Sequence, residues 1–288
     1  MQWQGRRKST NVEDRRGAGA TGGVAGRRVA VGGGLGSIVL IVLYLIFGGD
    51  PSQITQGSQE PTTNTESGGE LSASAQEMGD FVSVVLADIE DVWGARFKEM
   101  GGTYREPKLV LYSGGVESAC GYAGSSVGPF YCPGDEKVYL DLDYFEDMQR
   151  KLNFEGDFAL AYVIAHEVGH HVQNQLGIMD EVSNLQQQVS TTRANDLSVR
   201  LELQADFFAG LWAHYARKTQ GFIDTADIEE GLNAASAVGD DRIQKQQQGY
   251  VVPDSFTHGT SAQRASWFRK GLDSGDIEQG DTFNAARL

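Results

Sequence analysis

The sequence predicts an α+β fold: one mostly helical domain with a small β-sheet, preceded by one transmembrane helix. Three observations support this fold class. Residues 29–47 carry no charged side chain. Several segments after residue 73 repeat apolar residues with the 3.6-residue period of an α-helix. Two short segments rich in Val, Leu and Tyr have the pattern of β-strands.

The charges are distributed unevenly along the 288 residues. The chain has 24 Lys and Arg against 39 Asp and Glu, a net charge of −15. Residues 1–28 contain seven basic and two acidic side chains, which gives +5 there and −20 for the remainder. Nucleic-acid-binding domains usually carry a basic surface, so we expect no nucleic-acid partner. The sequence does not indicate the oligomeric state.

A membrane anchor is the interpretation that best fits residues 29–49. A helix of about 19 residues rises roughly 28 Å, close to the ~30 Å hydrocarbon core of a bilayer. The basic residues near this segment all precede it, and the positive-inside rule then places the N-terminus in the cytoplasm. A cleaved signal peptide and a buried core helix are the alternatives. The apolar run is long for a signal peptide, and its glycines are tolerated in transmembrane helices.

The chain thereby divides into four parts. We predict a basic cytoplasmic tail over 1–28, a transmembrane helix over 29–49, a flexible linker over 50–72 and one domain over 73–288. Ser, Thr, Gln, Gly and Pro dominate the linker, a composition typical of solvated, flexible segments. The domain is expected to lie outside the cytoplasm.

The domain contains six predicted helices and two predicted strands. The strands cover 107–112 and 137–142. The helices cover 76–100, 143–152, 158–176, 195–218, 224–237 and 261–273. The third helix is apolar on every side over 158–165, and such a helix is buried.

That buried helix continues into His166-Glu167-Val168-Gly169-His170. Residues four apart share one face of a helix, so His166 and His170 can reach the same metal ion. Neutral imidazole is a good zinc ligand. Glu167 lies at the flank of the same site and can take a proton from a zinc-activated water and pass it to a leaving amine. A polar cluster without a metal is the alternative interpretation.

Two imidazoles do not complete a zinc site, and a third ligand is required. Glu202 and Asp206 lie four residues apart on a later predicted helix. One of these carboxylates can bind the metal, while the other accepts the second N–H of a ligating histidine. A solvated acidic face is the alternative, but apolar residues cover most of the other sides of this helix.

The two cysteines, Cys120 and Cys132, bracket a Gly-rich loop of 11 residues. This number excludes a disulfide-dense scaffold and a zinc site of four cysteines. Outside the cytoplasm the pair is expected to form a disulfide. Two free buried thiols are the alternative.

Several strings resemble one bacterial family, the "putative neutral zinc metallopeptidases", and more broadly the gluzincins, whose pattern is HExxH followed by ExxxD. These strings are AHEVGHHVQNQLG, RLELQADFFAGLWAH, YCPGDEKVYLDLDYF, IEEGLNAASAVGDDRIQ and DSFTHGTSAQR. The resemblance covers essentially the whole chain and implies a zincin-like metallopeptidase domain. It implies that His166, His170 and Glu202 are the ligands of one zinc ion, that Glu167 is the general base and that Asp206 orients a ligand histidine.

Related gluzincins use a late His or Tyr to stabilise the oxyanion of the reaction. His258, in a loop before the last predicted helix, is the candidate here, with Tyr139 and Tyr250 as lesser ones. A loop histidine that fastens the last helix is the alternative for His258. Substrate can bind by adding a strand to an exposed strand, and we expect residues 137–142 to offer that strand.

The sequence therefore predicts a membrane-anchored zinc metallopeptidase that hydrolyses peptides or proteins at a bacterial inner or cytoplasmic membrane, with its catalytic domain in the periplasm or outside the cell. Two alternatives remain open. One is a zinc-binding envelope assembly factor without turnover, and the other is a zinc amidase that acts on cell-wall peptides. The sequence does not identify the substrate.

Overall fold

A computed structural model describes residues 1–16, 71–124, 127–152 and 156–288, with the backbone alone for residues 219 and 220. Within these residues lie eight α-helices and six β-strands. The helices are α1 (Ala73–Glu99), α2 (Leu142–Leu152), α3 (Asp157–Gln175), α4 (Ile178–Gln186), α5 (Thr191–Gln220), α6 (Thr225–Ala237), α7 (Asp240–Gln248) and α8 (Ser261–Ser274). The strands are β1 (Val12–Asp14), β2 (Lys108–Tyr112), β3 (Gly115–Ser118), β4 (Gly121–Gly124), β5 (Phe130–Cys132) and β6 (Lys137–Asp141).

Four strands form the main sheet, in the order β1-β2-β6-β5. β1, β2 and β6 are parallel, and β5 joins β6 in the antiparallel direction. Alternate residues of β2 face opposite sides: Leu109 and Leu111 contribute to the core shared with the helices. Val110 and Tyr112 contribute to a second apolar cluster with the β3–β4 hairpin. The sheet therefore lies between a thick helical layer and one hairpin.

Helices α3 and α5 pack at the centre of the helical layer, and glycine sets how closely neighbours approach. A Cβ added to Gly169 of α3 would lie 3.1 Å from the carbonyl oxygen of Ala205 in α5. A Cβ on Gly210 of α5 would overlap the carbonyl oxygen of Phe268 in α8. Gly169 thus serves the contact between α3 and α5, and Gly210 the contact between α5 and α8.

Residues 1–16, which the sequence assigned to a basic tail, pack as part of the domain. Val12–Asp14 forms β1 and pairs with Leu109–Leu111 of β2. At the end of this segment the Arg16 side chain is buried, and its Nη1 donates a hydrogen bond of 2.8 Å to the carbonyl oxygen of Ala75 in α1. A strand of three residues is too short to show a periodic pattern in the sequence.

Two basic side chains of residues 1–16 have acidic partners on α1. Arg7 contacts Asp91 at 2.8 Å and Glu90 at 3.6 Å. Lys8 Nζ lies 2.6 Å from the carboxylate of Asp80. Part of the positive charge that the sequence indicated as a signal of membrane orientation thus compensates acidic residues of the domain.

The fold-class prediction is right in its mostly helical domain with a small sheet, and wrong in the transmembrane helix placed before it. Across the parts of the chain that the structure describes, no helix has both the length and the apolar character needed to cross a bilayer. The predicted span over 29–49 lies outside the described residues, as does nearly all of the predicted linker over 50–72. The described segment ahead of α1 supplies a strand to the domain's own sheet.

The predicted disulfide is confirmed. Cys120 and Cys132 are bonded, and they join the β3–β4 hairpin to β5 across 12 positions of sequence. Cys132 is completely buried, within the same apolar cluster as Tyr139. The bond therefore closes the hairpin side of the sheet covalently.

Replacing both cysteines by alanine is expected to lower the free energy of unfolding by about 3 kcal/mol, because a closed loop of this length restricts the unfolded chain. Urea unfolding of the full chain measures the loss. Reductant provides the matched control, since it should destabilise the wild-type protein by a similar amount and leave the double variant unchanged. Equal wild-type stability with and without reductant would contradict the expectation.

Asp88 is a buried acidic residue that makes the stability of the folded domain depend on pH. Its carboxylate is buried and accepts a hydrogen bond of 2.8 Å from the Trp212 indole. Burial raises the pKa of Asp88 to about 6, and the Trp212 bond offsets only part of that shift. The raised pKa means that ionisation of Asp88 destabilises the folded state as the pH rises from about 4 to above 6.

The Asp88→Asn variant is therefore expected to be more stable than the wild type at pH 8, by up to about 3 kcal/mol, and to lose this advantage at pH 4. Urea unfolding at the two pH values measures the difference. Asp254→Asn, at an exposed position, is the matched control and should show no pH-dependent gain. An Asp88→Asn effect of equal size at both pH values would refute the assignment.

Candidate metal centre

Helix α3 carries the HExxH motif into the interior. The eight residues before the motif, 158–165, are all apolar and buried, so the helix is held by packing on every side. The motif residues His166, Glu167 and His170 are 6 %, 9 % and 9 % exposed. The helix that contains them thus brings two imidazoles and a carboxylate into a mostly buried position.

Helix α5 brings Glu202 to the same place. The Nε2 atom of His166 lies 3.1 Å from Oε2 of Glu202, and Nε2 of His170 lies 3.5 Å from Oε1. One ligand atom from each of the three residues falls within 4.8 Å of the others. The close packing of Gly169 on Ala205 brings α3 and α5 near enough for these side chains to meet.

The second nitrogen of each imidazole is also engaged. Nδ1 of His166 lies 2.9 Å from Oδ1 of Asp206, which is fully buried. Nδ1 of His170 lies 2.9 Å from Oε1 of Gln173, a residue that the sequence analysis missed. These acceptors take the Nδ1 proton of each ring, so Nε2 is the atom of each imidazole that can give up its proton and bind a metal beside Glu202.

The donor set fits zinc. Zinc prefers imidazole and carboxylate ligands at roughly 2.0–2.2 Å in tetrahedral geometry, which places ligand atoms about 3.4 Å apart. The observed separations of 3.1 and 3.5 Å match that spacing. Three protein ligands also leave a fourth position for water or substrate, as catalytic zinc sites do.

Burial and neighbouring charges shift the ionisation of these groups. Burial raises the pKa of Glu167, and the two histidines oppose this only in part. Burial would lower the pKa of His166, but Asp206 and Glu202 outweigh it and raise that pKa to about 9. Burial would raise the pKa of Glu202, yet His170 and His166 hold it well below its usual range.

Two further residues complete the surroundings of Asp206, and the sequence analysis named neither. The Tyr162 hydroxyl donates a hydrogen bond of 2.5 Å to Oδ1 of Asp206. Arg264 of α8 contacts both carboxylate oxygens, with Nε 2.8 Å from Oδ2 and Nη2 3.0 Å from Oδ1. Together with His166, these donors account for every contact described for this carboxylate.

The apolar pattern of helix α8 could have indicated that Arg264 is buried. Arg264, Trp267, Phe268 and Leu272 share one face of α8, and the three apolar residues of that face are buried. An arginine on the apolar face of a helix needs a buried anionic partner, because an unpaired charge is costly there. That argument predicts a partner without identifying it.

His258 lies at the same cavity, held by Asp240 at the start of α7. Nδ1 of His258 lies 3.1 Å from Oδ1 of Asp240, while Oδ2 accepts the backbone N–H groups of Thr257, His258 and Gly259. Burial would lower the pKa of His258, but the charge of Asp240 outweighs it and raises that pKa. Nε2 is the ring nitrogen that remains for a ligand in the cavity.

The two lesser oxyanion candidates lie elsewhere. Tyr139 donates its hydroxyl to Asp135 at 2.7 Å and packs beside the hairpin. Tyr250 is 62 % exposed. Neither residue lines the cavity, so the structure brings neither of them to the site.

The remaining histidines are structural. His171 is completely buried, with Nδ1 3.0 Å from the Tyr131 hydroxyl and Nε2 2.6 Å from the carbonyl oxygen of Arg105. His214 fastens α5 to α8 through the carbonyl oxygen of Leu272, at 2.6 Å.

A cavity of about 160 Å³ opens beside the cluster. Its polar lining consists chiefly of the cluster residues with His258 and Arg264, and its remaining walls are mostly apolar. The apolar walls come from Val127, Pro129, Phe130, Tyr144, Met148, Val163, Val238 and Ile243.

The strand expected to receive substrate is not available for that role. β6, which covers most of residues 137–142, has β2 on one side and β5 on the other, so both of its edges are paired. β5 is the edge strand next to the cavity, and Phe130 and Tyr131 line it. The sequence indicated the right part of the sheet and the wrong strand.

Comparison with known proteins identifies the family. The family model described as "Putative neutral zinc metallopeptidase" matches residues 1–283. The chain belongs to this family. The resemblance seen in the sequence is therefore confirmed, and the family implies zinc and a peptide or protein substrate.

Relatives of this chain occur in Escherichia coli and Mycobacterium tuberculosis. The chain is 50 % identical over 286 residues to the uncharacterized protein YpfJ of Escherichia coli K12, and the match covers 98 % of this chain and 99 % of YpfJ. It is 43 % identical over 210 residues to the uncharacterized protein Rv2575 of Mycobacterium tuberculosis H37Rv, a match that covers 69 % of each chain. No solved structure gives a significant match.

Proposed function

We propose that this protein is a zinc-dependent peptidase that holds one zinc ion per chain through His166, His170 and Glu202, with Glu167 as its general base. The observation that carries the proposal is the convergence of these three ligand atoms within 4.8 Å beside a cavity. Zinc bound there supplies Lewis-acid activation of water and of the scissile carbonyl.

The carboxylate of Glu167 supports the role of general base. It lines the cavity next to the three ligand residues. Because burial raises its pKa, Glu167 accepts a proton more readily than an exposed glutamate. The same group can then donate that proton to the amine that leaves when the peptide bond breaks.

His258 supports the role of oxyanion donor. Asp240 fixes its ring and favours a proton on Nδ1, and the raised pKa of His258 favours a second proton on Nε2. A fixed cationic donor at the cavity wall stabilises negative charge that develops on the carbonyl oxygen, and it needs little reorganisation to do so.

The substrate is an extended peptide in this proposal. β5 is one of the two edge strands of the described sheet and the one that borders the cavity, so a peptide can add to it as a further antiparallel strand. The apolar walls of the cavity favour an apolar side chain next to the scissile bond. Test peptides with Leu or Phe at that position are therefore the suitable probes.

The disulfide supports a location for this activity. A structural disulfide persists in oxidising compartments and is rare in the cytosol. We accordingly place the domain outside the cytoplasm.

The Glu167→Gln variant is expected to lose hydrolysis of such peptides while it keeps its bound zinc, because the base is removed and all three ligands remain. Metal analysis and a peptide-cleavage assay of the full chain measure the two properties. Glu229→Gln, at an exposed position on α6, is the matched control and should retain activity. Cleavage by Glu167→Gln at the wild-type rate would refute the mechanism. Zinc binding by a wild-type protein that cleaves nothing would favour a binding or assembly role.

The His258→Ala variant is expected to reduce kcat by about 10²- to 10³-fold with little change in KM, as for loss of other oxyanion donors. Steady-state kinetics on the same peptides measures both constants. His214→Ala is the matched control, since His214 lies away from the cavity and should affect stability without lowering kcat. A wild-type kcat in a folded His258→Ala protein would exclude the oxyanion role.

A further inference from the structure

The guanidinium of Arg264 lies beside the candidate metal centre: its Nη2 is 3.4 and 3.5 Å from the two ring nitrogens of His166 and 3.9 Å from Oε2 of Glu202. It is 4 % exposed. Its Nε and Nη2 contact the two oxygens of Asp206, its Nη2 lies 3.2 Å from the Tyr162 hydroxyl, and its Nη1 lies 3.3 Å from the carbonyl oxygen of Val238. One side chain of α8 thus contacts α3, α5 and the end of α6.

The geometry of the contact with Asp206 is two-pronged. Two parallel hydrogen bonds, 2.8 and 3.0 Å long, fix the plane of the carboxylate as well as its position. Oδ1 is then directed at Nδ1 of His166, 2.9 Å away. A lysine at this position would supply the positive charge but not the pair of parallel hydrogen bonds (the fork), because its ammonium is a point charge on a flexible stem.

The charge of Arg264 also matters. Glu167, Glu202 and Asp206 place three carboxylates in one region, each 9 % exposed or less. With a divalent cation bound, the three carboxylates would retain one excess negative charge, which the positive charge of Arg264 balances. Buried charges are tolerated when they are paired and hydrogen-bonded, and are strongly destabilising otherwise.

We propose that Arg264 is a positioning residue of the metal centre, which holds Asp206 and, through it, His166 in the arrangement that binds zinc. Asp206 cannot rotate while both of its oxygens are held by the fork, so the His166 ring keeps its Nε2 on the face shared with His170 and Glu202. The inference rests on the proposed zinc function but concerns affinity for the metal, which needs no substrate.

Zinc affinity of the folded full-length chain tests this role, measured by competition with a chromophoric chelator. Arg264→Met is expected to raise the zinc Kd by about 10- to 100-fold, the usual cost of losing a group that orients a metal ligand. Arg264→Lys should fall between this variant and the wild type. Arg242→Met is the matched control, because Arg242 donates to the carbonyl oxygen of Leu152 at 2.7 Å, away from the ligands. A wild-type zinc Kd in folded Arg264→Met would overturn the proposal.

A double-mutant cycle shows whether Arg264 acts through Asp206. In an Asp206→Asn background, Arg264→Met should add little to the increase in zinc Kd, because the group that it positions is already altered. A full additional loss in the double variant would show that Arg264 acts by another route. If Arg264→Met alone does not fold, Arg264→Lys and the double variant carry the test. A wild-type Kd for Arg264→Lys together with a double variant weaker than Asp206→Asn would then overturn the proposal.

The outcomes separate this inference from the proposed function. Wild-type protein that binds zinc without cleaving any peptide refutes the peptidase, and a raised Kd in Arg264→Met still supports the positioning role. Glu167-dependent cleavage combined with an unchanged Kd in Arg264→Met refutes the positioning role alone. In an active enzyme Arg264→Lys should lower kcat more than it changes KM, since the metal centre rather than the peptide-binding strand is disturbed.

Discussion

The ion pair between Asp206 and Arg264 is the interaction on which the rest of the site depends. Both groups are almost completely shielded from water, so neither can exchange its partner for solvent while the helices stay packed. A buried pair is stable only when its geometry is good and its remaining hydrogen-bonding groups are satisfied. Tyr162 and His166 satisfy Asp206, and the carbonyl of Val238 helps to satisfy Arg264.

Close helix packing makes this arrangement possible. Gly169 lets α5 approach α3, and Gly210 lets α8 approach α5 from another side. A larger residue at either position would push apart the helices that carry the charged groups. The small residues therefore contribute to the chemistry of the site without contacting any of its polar atoms. The charged groups can pair only if the helix backbones are in contact, because that contact sets the distances between the charges. Packing and electrostatics therefore depend on the same glycines.

The sequence predicted most of the elements around the site, because their signals are local. Apolar periodicity located α1, α3, α5, α6 and α8 to within a few residues, and the spacing of four in two motifs brought the candidate ligands together. Gln173 and Tyr162 lacked such a signal: a glutamine or a tyrosine near a motif is an ordinary residue until its partner on another helix is known.

Non-local pairing accounts for two further errors of prediction. The order of strands in the sheet decides which strand has a free edge, and no pattern within residues 137–142 reveals that β5 covers their outer side. Likewise, the meaning of the basic residues in 1–16 depends on which surface they meet. Read alone, they favour the cytoplasmic face of a membrane; in the fold Arg7 and Lys8 pair with acidic residues of α1.

The position of β1 changes how the chain should be divided. Arg16 contacts Ala75, so the chain leaves the domain and rejoins it at neighbouring points. In topological terms the 54 residues between 16 and 71 are an insertion within a domain, not a leader in front of one. The domain boundary then runs around that insertion, and a fragment that starts at residue 73 omits a strand of its sheet.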